Sequence, residues 1–187
     1  MTILAISGSL RRDSINRRLL RAAGHHLPSG VELVELDPAV LKAVPPYDQD
    51  DDHDEVDAAV TALRSAIADA DAVLFATPEY NGSVPGVLKN AVDWASRPRE
   101  DAALAGKPVA VVGASPGMFG AVWAQGDLRR ILGIAGARVI DRELPVAQAH
   151  EALDDEHRLI EPGLHAELGT IVGELLGEAA PRFAKAA

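Results

Sequence analysis

The chain has 187 residues, enough for one domain with a real core and too few for two full ones; 48% of them are hydrophobic, which excludes wholesale disorder. It contains no cysteine, so disulfides, thiolate nucleophiles and cysteine metal ligands are excluded together, and any redox chemistry must come from a bound cofactor. The formal net charge of −10 argues against a nucleic-acid partner, and no apolar run is long enough for a membrane-spanning helix.

The amino terminus, Met1-Thr2-Ile3-Leu4-Ala5-Ile6-Ser7, has no basic segment ahead of its apolar run. It reads as a buried strand, not as a secretion signal, and a cytoplasmic protein is expected. From there, apolar runs alternate with helical patterns. Strands are expected over Ile3–Ser7, Val31–Leu36, Ala72–Thr77, Pro108–Gly113 and, more weakly patterned, Arg138–Ile140. Helices are expected over Ser14–Leu27, Glu55–Asp69, Pro85–Ser96, Ala121–Gly136 and Pro162–Leu176. The strands are continuous apolar runs, as strands covered on both faces are. Five strand–helix units in series imply one doubly wound parallel sheet in a three-layer α/β sandwich. The whole chain reads as a single domain, with residues from about 178 to 187 an Ala-rich, fraying tail.

In such a sheet a ligand sits beyond the carboxyl ends of the strands, where strand order reverses. For the order 2-1-3-4-5 the loops to read are those after the first, third and fourth strands. The first is Ser7-Gly8-Ser9-Leu10-Arg11-Arg12-Asp13-Ser14-Ile15-Asn16. Gly8 permits a close backbone approach, Ser9, Ser14 and Asn16 offer side-chain donors, Arg11 adds a charged donor fork, and the helix start adds free N–H groups. Together these suit a phosphate monoester. Read alone, the same loop is equally a helix cap with solvated arginines. The glycine fingerprint of dinucleotide sites is missing, and so is the Gly-Lys-Ser/Thr ending of triphosphate loops. Glu35 and Asp37 therefore read as ordinary strand-end polar residues.

The third loop is Pro78-Glu79-Tyr80-Asn81-Gly82-Ser83-Val84-Pro85-Gly86. Two prolines and two glycines make it stiff and tightly turned, with Pro85 opening the next helix. A rigid loop of this kind can read a flavin edge through its backbone, with Tyr80 and Asn81 flanking the ring. After the fourth strand comes Gly113-Ala114-Ser115-Pro116-Gly117-Met118-Phe119-Gly120, whose small residues would let backbone pass close to a flat ring near Ser115 and Gly117.

The stretch from Pro78 to Pro98, Pro-Glu-Tyr-Asn-Gly-Ser-Val-Pro-Gly-Val-Leu-Lys-Asn-Ala-Val-Asp-Trp-Ala-Ser-Arg-Pro, closely resembles the signature of the NADPH-dependent FMN reductase family, in its quinone and chromate reductase branch. Gly8-Ser9-Leu10-Arg11 with Ser14 and Asn16 is similar to that family's phosphate loop. The resemblance runs in order from Ile3 to about Leu144. It implies a flavodoxin-like fold, non-covalently bound FMN, NADPH or NADH as hydride donor, and dimers or tetramers. By the same resemblance Ser9, Arg11, Ser14, Ile15 and Asn16 would hold the FMN phosphate, and Pro78, Glu79, Tyr80, Asn81 and Gly82 would line the ring. No protein catalytic residue is implied, because the flavin carries the chemistry. Trp123 stands where the family commonly has Arg, which points to a packing or interface role for it.

Lys89, Asp93 and Arg97 share a helix face and read as a solvated ion-pair ladder, while Val87, Leu88, Ala91 and Trp94 form a stripe that could meet either the sheet or a partner. The acidic run from Tyr47 to Glu55 lacks calcium-loop spacing, and the histidines form no metal-ligand spacing. Two other readings stay open: a non-enzymatic flavodoxin-type electron carrier, and a sheet domain without flavin.

Overall fold

A computed structural model describes residues 1–53 and 55–180. In chain order its main elements are β1 (Thr2–Ser7), α1 (Ile15–Gly24), β2 (Glu32–Glu35), α2 (Pro38–Ala43), α3 (Ala58–Asp69), β3 (Ala72–Thr77), α4 (Gly86–Ala95), β4 (Pro108–Ala114), α5 (Val122–Ile134), β5 (Arg138–Val139), β6 (Pro145–Val146) and α6 (Pro162–Ala179). The strands pair in parallel in the order β2-β1-β3-β4-β5, so the fold is the expected flavodoxin-like sandwich.

Side chains alternate across the sheet, and this divides the core in two. Ile3, Ala5, Leu74, Ala110 and Val112 point to one face, which α1 and α6 cover with Leu19, Leu20, Leu168 and Ile171. Leu4, Ile6, Val73, Phe75, Val109 and Val111 point to the other, under Leu63 and Ile67 of α3, Leu88 and Trp94 of α4, and Leu128 and Leu132 of α5. Strands β1, β3 and β4 are thus apolar at nearly every position.

Three differences from expectation have local causes. The second strand is shorter and alternates in burial, because β2 is the sheet edge: Val34 is exposed, and Glu35 pairs with Arg17 and lies 3.6 Å from Arg21. Helix α2 was not expected; Asp37 caps it by accepting from Ala39 N–H, and Pro38 occupies its first turn. The sheet has six strands where five were expected. Residues Arg138–Val139 pair with one end of β4, and Pro145–Val146 pair with Gly113 and Ala114 at the other, so two short pieces share the outer edge of β4. At the carboxyl terminus α6 runs to Ala179 and is capped by Ala180, so the first residues of the expected tail belong to the helix; residues 181–187 lie outside the described residues.

Helix α4 also resolves an alternative. Leu88, Ala91, Val92, Trp94 and Ala95 are buried against the chain's own sheet, so the apolar stripe is used within the subunit. Lys89 holds Asp93 at 2.7 Å, but the ladder stops there: Arg97 bonds Ser96 and lies over the Tyr47 ring. In the acidic run, Asp48 accepts from Asp50 N–H and Asp52 pairs with Arg64 at 2.8 Å. No cluster of three or more potential metal ligands occurs among the described residues, nor is any described helix long and apolar enough to cross a membrane.

Candidate active site

The carboxyl ends of β1, β3 and β4 open into a cleft of about 190 Å³. It is lined by Ser9, Arg11, Ser14, Ile15 and Asn16 from the first loop, Pro78, Glu79 and Tyr80 from the third, and Ala114, Ser115 and Pro116 from the fourth. Asn81, Gly82 and Gly117 stand outside the lining. Of the twelve residues expected at the site, nine therefore converge on one cleft from three separate loops.

The first loop is set by a close approach. Gly8 N–H donates to Ala76 C=O at 2.8 Å, and a Cβ on Gly8 would fall 2.8 Å from Leu88 Cδ2 and 3.2 Å from Pro78 Cδ. Only glycine lets β1 run so close to the third loop and α4. Ser9 N–H then donates to Ser7 Oγ at 3.2 Å. At the start of α1 the Ser14 hydroxyl accepts from Arg17 N–H at 3.3 Å, and Ser14 C=O accepts from Arg18 N–H at 3.1 Å. The N–H groups of Ile15 and Asn16 are left without partners among the described residues and form the positive end of the helix. The Arg11 guanidinium is exposed and makes no ion pair among the described residues.

Two residues expected at the site also hold its loops in place. Asn16 is buried, and its amide spans the β4 terminus: Nδ2 donates to Ala114 C=O and Oδ1 accepts from Ala114 N–H, both at 3.0 Å. Its side chain fastens the first loop to the fourth, with one of its two Nδ2 hydrogens engaged there. Glu79, which lines the cleft, also braces a neighbouring helix. Its Oε2 accepts from Trp123 N–H and from Ala124 N–H, each at 3.1 Å. Helix α5 has no side-chain cap of its own, since Ala121 stands at its N-cap with φ 61°. Glu79 supplies that cap from the third loop, placing a carboxylate where free N–H groups and the helix dipole favour it. A second bond, from Ser83 Oγ to Asp127 Oδ2 at 2.7 Å, ties the same loop to the same helix.

The third loop is stiff for a visible reason. Tyr80 N–H donates to Ser83 C=O at 3.1 Å and Ser83 N–H to Tyr80 C=O at 3.2 Å, closing a two-residue turn. Its central residues, Asn81 and Gly82, have φ of 52° and 75°, the pattern that Asn-Gly favours. In the fourth loop Ser115 Oγ accepts from Gly117 N–H at 3.1 Å. Gln125, fully buried and not singled out in the sequence, holds the end of that loop: Nε2 donates to Gly120 C=O at 3.1 Å and Oε1 accepts from Leu144 N–H at 2.9 Å. Its bonds cross into β4–α5 and β5–β6 connections, so no local pattern marks it.

Comparison with known proteins adds the decisive observation: residues 1–151 match the model of the family described as NADPH-dependent FMN reductase. The chain belongs to that family. The match to the NADPH-dependent FMN reductases takes in all three loops of the cleft and every strand, and leaves α6 beyond it. Among curated relatives, an NAD(P)H-dependent FMN reductase of Pseudomonas aeruginosa is 43% identical over 160 residues, covering 85% of this chain and 84% of its own length. A 2-hydroxy-1,4-benzoquinone reductase of a Burkholderia species is 45% identical over 131 residues, 70% of this chain and 69% of its own. Among solved structures, FerB of Paracoccus denitrificans, a flavoenzyme NAD(P)H:(acceptor) oxidoreductase, superposes with a TM-score of 0.82 at 34% identity over 95% of this chain and 96% of its own.

Proposed function

We propose that this protein is an NAD(P)H-dependent, FMN-containing reductase whose acceptors are quinones or other small oxidants such as chromate, azo or nitro compounds. The observation that carries the reading is the cleft at the strand-order reversal, whose donors suit the phosphate end of FMN. Arg11, the Ser9 hydroxyl and the open N–H groups of Ile15 and Asn16 can meet a dianionic ester without breaking any bond the chain already makes. The walls formed by Pro78–Tyr80 and Ala114–Pro116 would receive the ring. Family membership and the printed activities of the relatives support the same conclusion and do not favour a non-enzymatic carrier.

When bound, FMN supplies the two-electron chemistry, for a net reaction of NAD(P)H, a proton and a quinone giving NAD(P)+ and the hydroquinone. The chain's own groups bind and orient. Arg11 and the α1 terminus fix the phosphate; Asn16 fixes the spacing of the first and fourth loops; Glu79 and Ser83 fix the third loop against α5. Backbone groups of the Pro78–Gly82 loop would read the ring edge, and no acid or base side chain is required. The cleft opens to solvent, so the proton for the acceptor can come from water. A cytoplasmic homodimer or homotetramer, each subunit folded as one FMN-binding domain, completes this reading.

The test is anaerobic mixing of the FMN-loaded protein with NADPH and, separately, NADH. Rapid bleaching of the flavin band with either nucleotide is expected; a flavin that neither nucleotide bleaches would assign the protein to the electron carriers instead.

A further inference from the structure

Nine large hydrophobic side chains are exposed among the described residues, and five of them, Leu10, Tyr80, Met118, Phe119 and Trp123, sit on the three loops that frame the cleft or on the helix start beside it. Three of the five form one stretch at the β4–α5 connection: Met118 is 75% exposed, Phe119 56% and Trp123 52%. Water-facing apolar side chains scattered singly are ordinary, but aromatic residues gathered beside a cleft mark a contact surface. Phe119 and Trp123 already pack on each other, with ring centroids 4.8 Å apart and planes at 55°. An angled pair of this kind offers one ring face for stacking and another ring edge to meet the same guest.

The pair is also held in place. Val122 N–H donates to Phe119 C=O at 3.1 Å, and Gln125 holds Gly120 C=O, so the turn between the two aromatics is fixed. Trp123 N–H is one of the two donors to Glu79, and Glu79 lines the cleft. The Trp123 backbone is therefore tied by one hydrogen bond to a residue of the cleft wall. Ordering cost at such a prearranged surface is small.

We propose that Phe119 and Trp123 form an acceptor ledge, a binding surface for planar aromatic electron acceptors that favours fused two-ring over one-ring molecules. The inference rests on the reductase reading above and deepens it, since it names the residues that select the acceptor. On this proposal a fused second ring would add stacking area on the ledge that a one-ring quinone lacks. Glu79 is a positioning residue for this ledge, acting through the Trp123 and Ala124 backbone.

The experiment uses the FMN-loaded full chain, with Phe119→Ala, Trp123→Ala, the double variant, and Trp123→Phe as the conservative change. Each mutated side chain is more than half exposed, so folding is not at stake. First, oxidised protein without nucleotide is dialysed against 2-methyl-1,4-naphthoquinone. The double variant is expected to bind it roughly tenfold more weakly, while Trp123→Phe stays close to the parent. Second, the ratio of kcat/KM for this naphthoquinone to that for 1,4-benzoquinone is expected to fall by a similar factor in the double variant. Ile160→Ala, an exposed residue on the far carboxyl-terminal segment, should leave the ratio unchanged. Equal losses on both quinones, or an unchanged ratio, would overturn the ledge. So would a double variant that sediments as a smaller species than the parent, which would make this face a contact between copies. Flavin bleaching by NAD(P)H reads the reductase assignment alone and dialysis reads the ledge alone, so the two failures are distinguishable.

Discussion

Arg11 is the cationic residue that lines the cleft. Arg17 is engaged by Glu35, and Arg18 by the carbonyls of Leu153 and Asp154, while Arg11 makes no ion pair among the described residues and lines the cleft directly. A guanidinium held ready for a phosphate contributes on the order of 1.5–3 kcal/mol as a charge-assisted pair. Arg11→Ala is therefore expected to weaken FMN by one to two orders of magnitude while barely affecting riboflavin, which lacks the phosphate. Titration of both ligands by flavin fluorescence checks this, and equal losses would remove Arg11 from the phosphate site. What Asn16 and Glu79 do was not legible from the chain alone. Their positions on the cleft were, through the family motif; their partners lie 98 and 44 or 45 residues away, and no local spacing announces a bond of that range.

At the scale of elements, the third loop should be read through its shape. A Cβ on Gly82 would meet nothing within 4 Å, so Gly82→Val would not crowd a neighbour; its cost is the φ of 75°, which a β-branched residue resists. Such a strained turn costs about 1–3 kcal/mol. Gly82→Val is expected to weaken FMN several-fold or more, and Tyr80→Phe to leave its dissociation constant almost unchanged at the same pH and salt. The reverse ranking would mean that side chains read the ring. The joint between α1 and α6 carries a separate pH dependence. His26 packs on His165 with ring centroids 4.4 Å apart, and its Nε2 is buried without a hydrogen-bond partner among the described residues. Burial first, and then the charges of His165 and His25, hold His26 below its ordinary 6.5. The unfolded chain thus takes up this proton at a higher pH than the folded one, so the folded state gains nothing from it on acidification. Stability associated with His26 is present above pH 6.5 and is lost as the pH falls through the ordinary value towards the folded one. Melting temperature between pH 7.5 and 5.5 should fall less in His26→Asn than in the parent. Strands β1, β3 and β4 were readable because both of their faces are covered, which leaves continuous apolar runs. Helix α2 and strand β6 were not, since six and two residues are too short to show a period.

For the whole molecule, the open question of assembly falls on the face between α4 and α5. With the α4 stripe buried inside the subunit, what remains outside is a groove of about 510 Å³ lined by Lys89, Asp93, Arg97, Arg130, Ile131 and Ile134, among others. Ile134 is 77% exposed there, a large apolar side chain facing water. Sedimentation at micromolar concentration is expected to show at least a dimer, and Ile134→Glu to shift it towards monomer without lowering the melting temperature of the subunit by more than a degree or two. A parent protein that sediments as a fully active monomer would exclude the oligomer as the working unit. The doubly wound parallel sheet followed from the alternation of strand and helix patterns, while its order β2-β1-β3-β4-β5 is the one that the family resemblance implied.

The bond from Asn16 to Ala114, and the pairing of Pro145–Val146 with the end of β4, have a consequence for synthesis on the ribosome. The three loops are translated far apart, and the outer edge of β4 stays unpaired beside the cleft until Val146 has left the exit tunnel. A nascent chain must wait through most of its length before it can hold a flavin, and the cofactor then acts on the finished fold by mass action, adding RT ln(1 + [FMN]/Kd) to its stability. Stalled chains should follow the same order: those with only the residues before Leu144 outside the ribosome should release FMN, and those with Ala180 outside should retain it.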